Sequence, residues 1–167
     1  MIAASASDAR RPAGRPVPGW VIAASAILVL IGLTDAVYLT ITHFTTTVHL
    51  ACSGSGTIDC EKVTTSPQSH ILGVPVAVLG LVFFVVYAGL CTPAAWRSPE
   101  PLVRYARLAW AIGGVVTVVY LIYAELFEIG AICLWCSLVH VVTIALFIVV
   151  VVGEALIEGA PSSAPAG

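Results

Sequence analysis

Four stretches of this chain, residues 20–41, 74–90, 103–124 and 133–152, carry almost no charge: Asp35 and the edge pair Arg104 and Arg107 are the only acids or bases among them. Each stretch is about the length a helix needs. At a rise of about 1.5 Å per residue, roughly 20 residues cross the ~30 Å hydrocarbon layer of a bilayer. A backbone in lipid has no water to bond to, so such runs become helices. Composition agrees: 59% of the 167 residues are hydrophobic and 10% are charged, and the mean hydropathy is +1.03. The expected fold is therefore all-α and integral to a membrane, a four-transmembrane-helix bundle with helices over about 20–42, 74–91, 103–126 and 133–153. A long extracytoplasmic loop, 43–73, joins the first two helices, and the Ala, Ser, Pro and Gly-rich tails 1–19 and 154–167 are expected to be disordered and cytoplasmic.

Charge sets the expected orientation. Six of the seven basic residues lie before the first helix (Arg10, Arg11, Arg15) or around the link between the second and third (Arg97, Arg104, Arg107), and the loop 43–73 holds only Lys62. Both termini are accordingly expected in the cytoplasm of a cell whose inner (plasma) membrane the chain crosses several times. Trp20, Trp96 and Trp110 fall near the inner interface by this register and Trp135 near the outer one. The first apolar run is too long for a cleavable signal and no small-x-small site follows it, so it reads as a retained helix; Arg10-Arg11 reads as inner-face charge. A net charge of −2 with no basic surface outside the inner flanks gives no reason to expect nucleic acid as a partner.

Within the loop, 61–63 begins a short helix broken at Ser66-Pro67, and Gly73-Val74-Pro75 opens the second spanning helix. A tight link over 125–132 makes the third and fourth helices antiparallel neighbours. That link delivers Cys133 and Cys136 to the outer mouth of the bundle, where the loop already holds Cys52 and Cys60. Four of the five cysteines thus share the oxidising side, and the fifth, Cys91, reads as a small buried apolar residue.

Cys133-Leu134-Trp135-Cys136 places two sulfurs one turn apart at a helix start, where unpaired N–H groups favour a thiolate, the nucleophile of disulfide exchange. Taken alone it also fits half of a zinc site or a structural disulfide, each less well than a redox centre. The pair Cys52 and Cys60, separated by a Gly- and Ser-rich stretch that includes 53–56, adds a disulfide free to exchange with two partners. Depth supplies a further layer: Cys136 lies about 5 Å and His140 about 10 Å below the outer edge at 1.5 Å per residue, and Asp35 and Tyr120 reach a similar level. Ionisable groups at that depth usually face an interior cavity. These three are expected to hold a quinone ring and handle its protons beneath Cys136.

With Cys52, Cys60, the Ser66 six residues later, and Cys133-x-x-Cys136 opening the fourth helix, the chain resembles the vitamin K epoxide reductase family from about 20 to 153. The stretch 60–70 is similar to actinobacterial members. The resemblance implies that Cys136 passes electrons to a quinone (menaquinone or ubiquinone), Cys133 resolves it, Cys60 exchanges with Cys133, and Cys52 meets the partner. Ser66 is implied to lie near the active site. The implied partner is a separate thioredoxin-like (DsbA-like) periplasmic protein, reoxidised for disulfide formation, because this chain ends soon after the fourth helix. Vertebrate relatives hold vitamin K with an asparagine and a tyrosine; this sequence has no asparagine and carries His140 at the tyrosine position, so quinone reduction rather than epoxide reduction is the implied activity. DsbB-type oxidases place their Cys-x-x-Cys before the spaced pair, the reverse of the order here.

The alternative is a non-enzymatic membrane scaffold or metal-binding protein with structural disulfides. Thiol trapping separates the two: a relay changes its cysteine oxidation pattern when a reduced partner or a quinone is supplied, and a scaffold keeps one pattern under both.

Overall fold

The computed structural model describes residues 17–45, 50–52 and 56–159. The expectations for the ends of both tails, for Arg10, Arg11 and Arg15, and for the centre of the Ser-Gly run at 53–55 lie outside the described residues. In chain order, α1 (Gly19–Phe44) is followed by the short α2 (Cys60–Thr64), a 3-10 turn at Pro67–Ser69, and a two-residue-per-strand hairpin, β1 (His70–Ile71) against β2 (Val74–Pro75). Then come α3 (Val76–Leu90), the short α4 (Pro93–Arg97), α5 (Pro101–Tyr123) running into a π-helical turn (Ala124–Ile129), and α6 (Leu134–Glu158).

Three helical segments, Gly19–Phe44, Pro101–Ile129 and Leu134–Glu158, are long and apolar enough to cross a membrane; Val76–Leu90 is apolar but shorter. At 15 residues it rises about 22 Å, less than a full hydrocarbon layer. The expected start at 74 gives way because Val74 and Pro75 pair with Ile71 and His70 in the hairpin, so the helix begins only at Val76. The expected link over 125–132 is likewise shorter. The helix continues through its π turn to Ile129 and stops at Gly130, whose φ of 64° is the left-handed conformation glycine adopts freely.

α1 packs along α3 and α6, and α5 packs along α6. Gly32 is what allows the α1–α3 approach, since a Cβ there would lie 2.1 Å from the Phe84 ring. Small residues serve this purpose where apolar lipid gives helices no hydrophobic reason to associate. The outer surface stays apolar, with Leu30, Val116 and Val141 each more than 60% exposed, as a lipid-facing surface requires.

The end of the bundle where α1 begins and α6 ends is locked by charge. Arg107, 1% exposed, donates from Nε to Glu154 Oε1 at 3.1 Å and from Nη2 to the same oxygen, and its Nη1 reaches the Leu90 carbonyl at 3.1 Å. Arg104 pairs with Glu154 at 3.2 Å and also with Glu158. The Arg107 guanidinium stacks 3.8 Å over the Trp96 ring, whose Nε1–H donates to Ser25 Oγ at 3.1 Å. Trp96 is therefore a core residue with no exposure, and Trp110, donating to the Phe83 carbonyl, lines an internal cavity. Neither is the interface anchor that helix register suggested. Cys91 is buried, as its reading as a small apolar residue expected.

Glu154→Ala leaves Arg107 buried without its counter-charge, a loss of about 3–5 kcal/mol. Thermal unfolding in detergent should show a clearly lowered Tm; an unchanged Tm would mean the network contributes nothing to stability.

Candidate functional site

Two backbone hydrogen bonds bring the cysteine pairs together. The loop pairs with the α5–α6 link as a parallel bridge between Ile58 and Ile132. Asp59 N–H donates to the Ile132 carbonyl at 3.1 Å and Ile132 N–H to the Thr57 carbonyl at 2.9 Å. Each bridge segment is followed at once by a cysteine-bearing helix start. Asp59 caps α2 by accepting from Lys62 N–H at 2.9 Å, so Cys60 becomes the first residue of α2, and Cys133 becomes the cap of α6. Cys60, Cys133, Val63 and Ala131 form one buried cluster, against which Cys52 and Cys136 pack.

Cys52 is disulfide-bonded to Cys60, with Cα atoms 5.9 Å apart. The segment before it is held by the middle of the Cys-x-x-Cys motif. Trp135 Nε1–H donates to the Ala51 carbonyl at 3.3 Å, Ala51 N–H donates to the Tyr38 hydroxyl at 3.1 Å, and the two rings lie 4.7 Å apart. Cys133 and Cys136 are free thiols. The Cys136 S–H donates to Cys133 Sγ at 2.7 Å and the Cys136 N–H to the same sulfur at 3.2 Å. Those two bonds, the thiol first, hold the Cys133 thiol below its usual range against the opposing effect of burial. Two sulfurs this close need little movement to close a disulfide.

Beneath them lies a cavity of about 640 Å³ enclosed by α1, α3, α5 and α6. The exposed surface of its walls is mostly apolar, including Phe83, Phe84 and Trp110, with Cys136, His140, Glu125 and Ser66 among its polar groups. Its size and lining fit a ring-sized hydrophobic molecule. Among the described residues no group of three or more His, Cys, Asp or Glu is arranged to hold a metal ion.

Several sequence-selected residues meet here. Cys52, Cys60, Cys133 and Cys136 share one cluster; Ser66 is buried in the cavity wall, donating to the Val63 carbonyl at 2.7 Å; His140 is buried in the wall one turn below Cys136. Asp35 is buried, and neither carboxylate oxygen has a hydrogen-bond partner among the described residues. It lies within electrostatic reach of Cys136 but outside the cavity lining. Tyr120 does not belong to the layer. It is 44% exposed on the outside of α5 and absent from the cavity wall. Depth along the helix says nothing of direction around it, and that direction points Tyr120 away. Glu125, five residues on, turns about 140° further at 100° per residue and faces inward instead. Sequence reasoning placed Glu125 in a connecting link and so missed it. The available signal was an acid at the end of an otherwise apolar run.

The sequence model of the Vitamin K epoxide reductase family matches residues 23–151. The match takes in α3, α5, most of α1 and α6, and both cysteine pairs, and the chain belongs to that family.

Trp135→Ala removes both the ring that packs on Tyr38 and the donor to Ala51. Transfer of a disulfide between the loop pair and Cys133 should slow about tenfold, the equivalent of ~1.4 kcal/mol of lost positioning, in a time course read by thiol labelling. An unchanged rate would mean the indole has no part in holding Cys52.

Proposed function

We propose that this member of the vitamin K epoxide reductase family is a quinone-reducing thiol oxidoreductase. It reoxidises a separate thioredoxin-like (DsbA-like) partner on the extracytoplasmic side of the plasma membrane, with four membrane crossings and both termini in the cytoplasm. The observation that carries this reading is the joining of the Cys52–Cys60 disulfide to the Cys133/Cys136 thiols in one buried cluster above an apolar cavity. A protein using its cysteines only as staples has no need for a free thiol pair packed against a disulfide.

Electrons enter when a thiolate of the partner attacks Cys52, breaking the Cys52–Cys60 bond and releasing Cys60. Cys60 then attacks Cys133 in the Cys133–Cys136 disulfide. The Cys60–Cys133 bond forms, and Cys136 leaves as a thiolate. Cys52, once freed by the partner's second thiol, attacks Cys60 and releases Cys133. The arrangement described above, with the loop pair joined and the motif pair apart, is the product of that last step. Holding Cys60 next to Cys133 makes the exchange intramolecular and removes most of its entropic cost.

A quinone in the cavity supplies a two-electron, two-proton acceptor. Cys136, in the cavity wall, is the sulfur placed to reach it; Ser66 and His140 offer polar contacts, and the aromatic residues deeper down exclude water. His140 stands where vertebrate relatives use tyrosine and no asparagine is present, which supports quinone rather than epoxide as the acceptor.

Cys136→Ala tests the relay. Without Cys136, Cys133 remains a free nucleophile beside the loop disulfide, so a Cys60–Cys133 linkage should accumulate and be found by peptide mapping without reduction, while oxidation of a thioredoxin-like partner falls to background. Partner oxidation at the wild-type rate, or no such linkage, would contradict the assignment.

A further inference from the structure

Glu125 takes no part in the steps above, yet its surroundings are unusual. It is 6% exposed, it lies in the wall of the cavity that also holds Cys136 and His140, and its carboxylate makes no hydrogen bond or ion pair among the described residues. It lies within electrostatic reach of both Cys133 and Cys136. The turn that presents it is the π-helical distortion of α5. Such insertions recur at functional sites because they redirect one side chain out of helical register. The Glu125 carbonyl accepts from Ala131 N–H at 3.1 Å, which ties the turn to the strand leading into Cys133.

The other buried acids differ. Glu154 is ion-paired with Arg104 and Arg107, and Asp35 does not line the cavity. A lone carboxyl at such depth is costly to keep and is typically retained to move protons or ions. A proton does need moving here, because Cys133 has no exposed surface and water cannot reach its thiol.

We propose that Glu125 is the proton carrier of the dithiol. It accepts a proton of the Cys133/Cys136 pair as the two sulfurs bond and releases that proton into the cavity. In that step two S–H bonds break and one S–S bond forms. Two electrons and two protons pass to a quinone-class acceptor, which gains two O–H bonds, and Glu125 returns to its starting state. The proposal rests on the oxidoreductase reading above.

Infrared difference spectra of the full-length protein, with its cysteines oxidised and then reduced by dithiothreitol in the absence of quinone, test it directly. A carboxyl band that changes with the Cys133/Cys136 redox state should appear in the wild type and vanish in Glu125→Gln. In single-turnover assays with quinone, closure of the Cys133–Cys136 disulfide should slow by about 10²–10⁴-fold in Glu125→Gln and recover in part in Glu125→Asp. The Cys60–Cys133 handover should keep its wild-type rate in both variants, a rate that also reports correct folding. A band that survives in Glu125→Gln, or closure at the wild-type rate, would overturn the proposal. Failure of the handover in the wild type would instead overturn the oxidoreductase reading beneath it.

Discussion

Two backbone hydrogen bonds, Asp59 N–H to the Ile132 carbonyl and Ile132 N–H to the Thr57 carbonyl, are the joint on which the site depends. Each contributes only about 1 kcal/mol net. Their importance is geometric, because they fix the register of the loop against the link one residue before Cys60 and one before Cys133. A slip of one residue along an extended pairing would turn the cysteine side chains to opposite faces. The Asp59 cap and the Trp135–Ala51–Tyr38 contacts hold the two sides of the loop disulfide to the same register.

The molecule divides its polar interactions by position. At the end where α1 begins and α6 ends, acids and bases are paired into a network that closes the bundle. At the other end Asp35 and Glu125 have no counter-charge among the described residues, His140 is buried, and an apolar cavity separates the two ends. A buried pair left intact is structurally inert, whereas unpaired ionisable groups beside two thiols give the site chemical options that the locked end lacks. α3 follows the same division. It is too short to fill a whole bilayer, and the 3-10 turn and hairpin before it contribute Ser69, His70 and Ile71 to the cavity wall.

Much of this was legible in the sequence because lipid imposes strict rules. The apolar runs gave the long helices to within about five residues, the largest miss being 154–158, expected in a disordered tail but forming the end of α6, where Glu154 is buried and ion-paired, and the Cys-x-x-Cys spacing gave a sulfur-capped helix start. A short helix around 61–63 was legible, and proline sterics put a break at Ser66-Pro67; α2 in fact ends at Thr64, two residues earlier. What failed to emerge was direction around the helix axes. Where every face of a helix is apolar, no periodicity says which side faces the bundle, so Tyr120 was selected by depth and Glu125 overlooked. The pairing of Arg107 with Glu154 is a contact between segments 47 residues apart and left no local trace; neither did the burial of Trp96, which interfacial statistics place at the surface. The hairpin of His70–Ile71 and Val74–Pro75 was hidden because two-residue strands are too short to show alternation.

Rapid acid quenching of the oxidised protein after mixing with a reduced thioredoxin-like protein, followed by non-reducing peptide mapping, tests the central claim most directly. Direct handover between the pairs predicts that a Cys60–Cys133 linkage rises and decays before both Cys133 and Cys136 become labelled as thiols. Reduction of the Cys133/Cys136 pair at full rate in a Cys52→Ser, Cys60→Ser double variant, with no such linkage ever seen in the wild type, would contradict it.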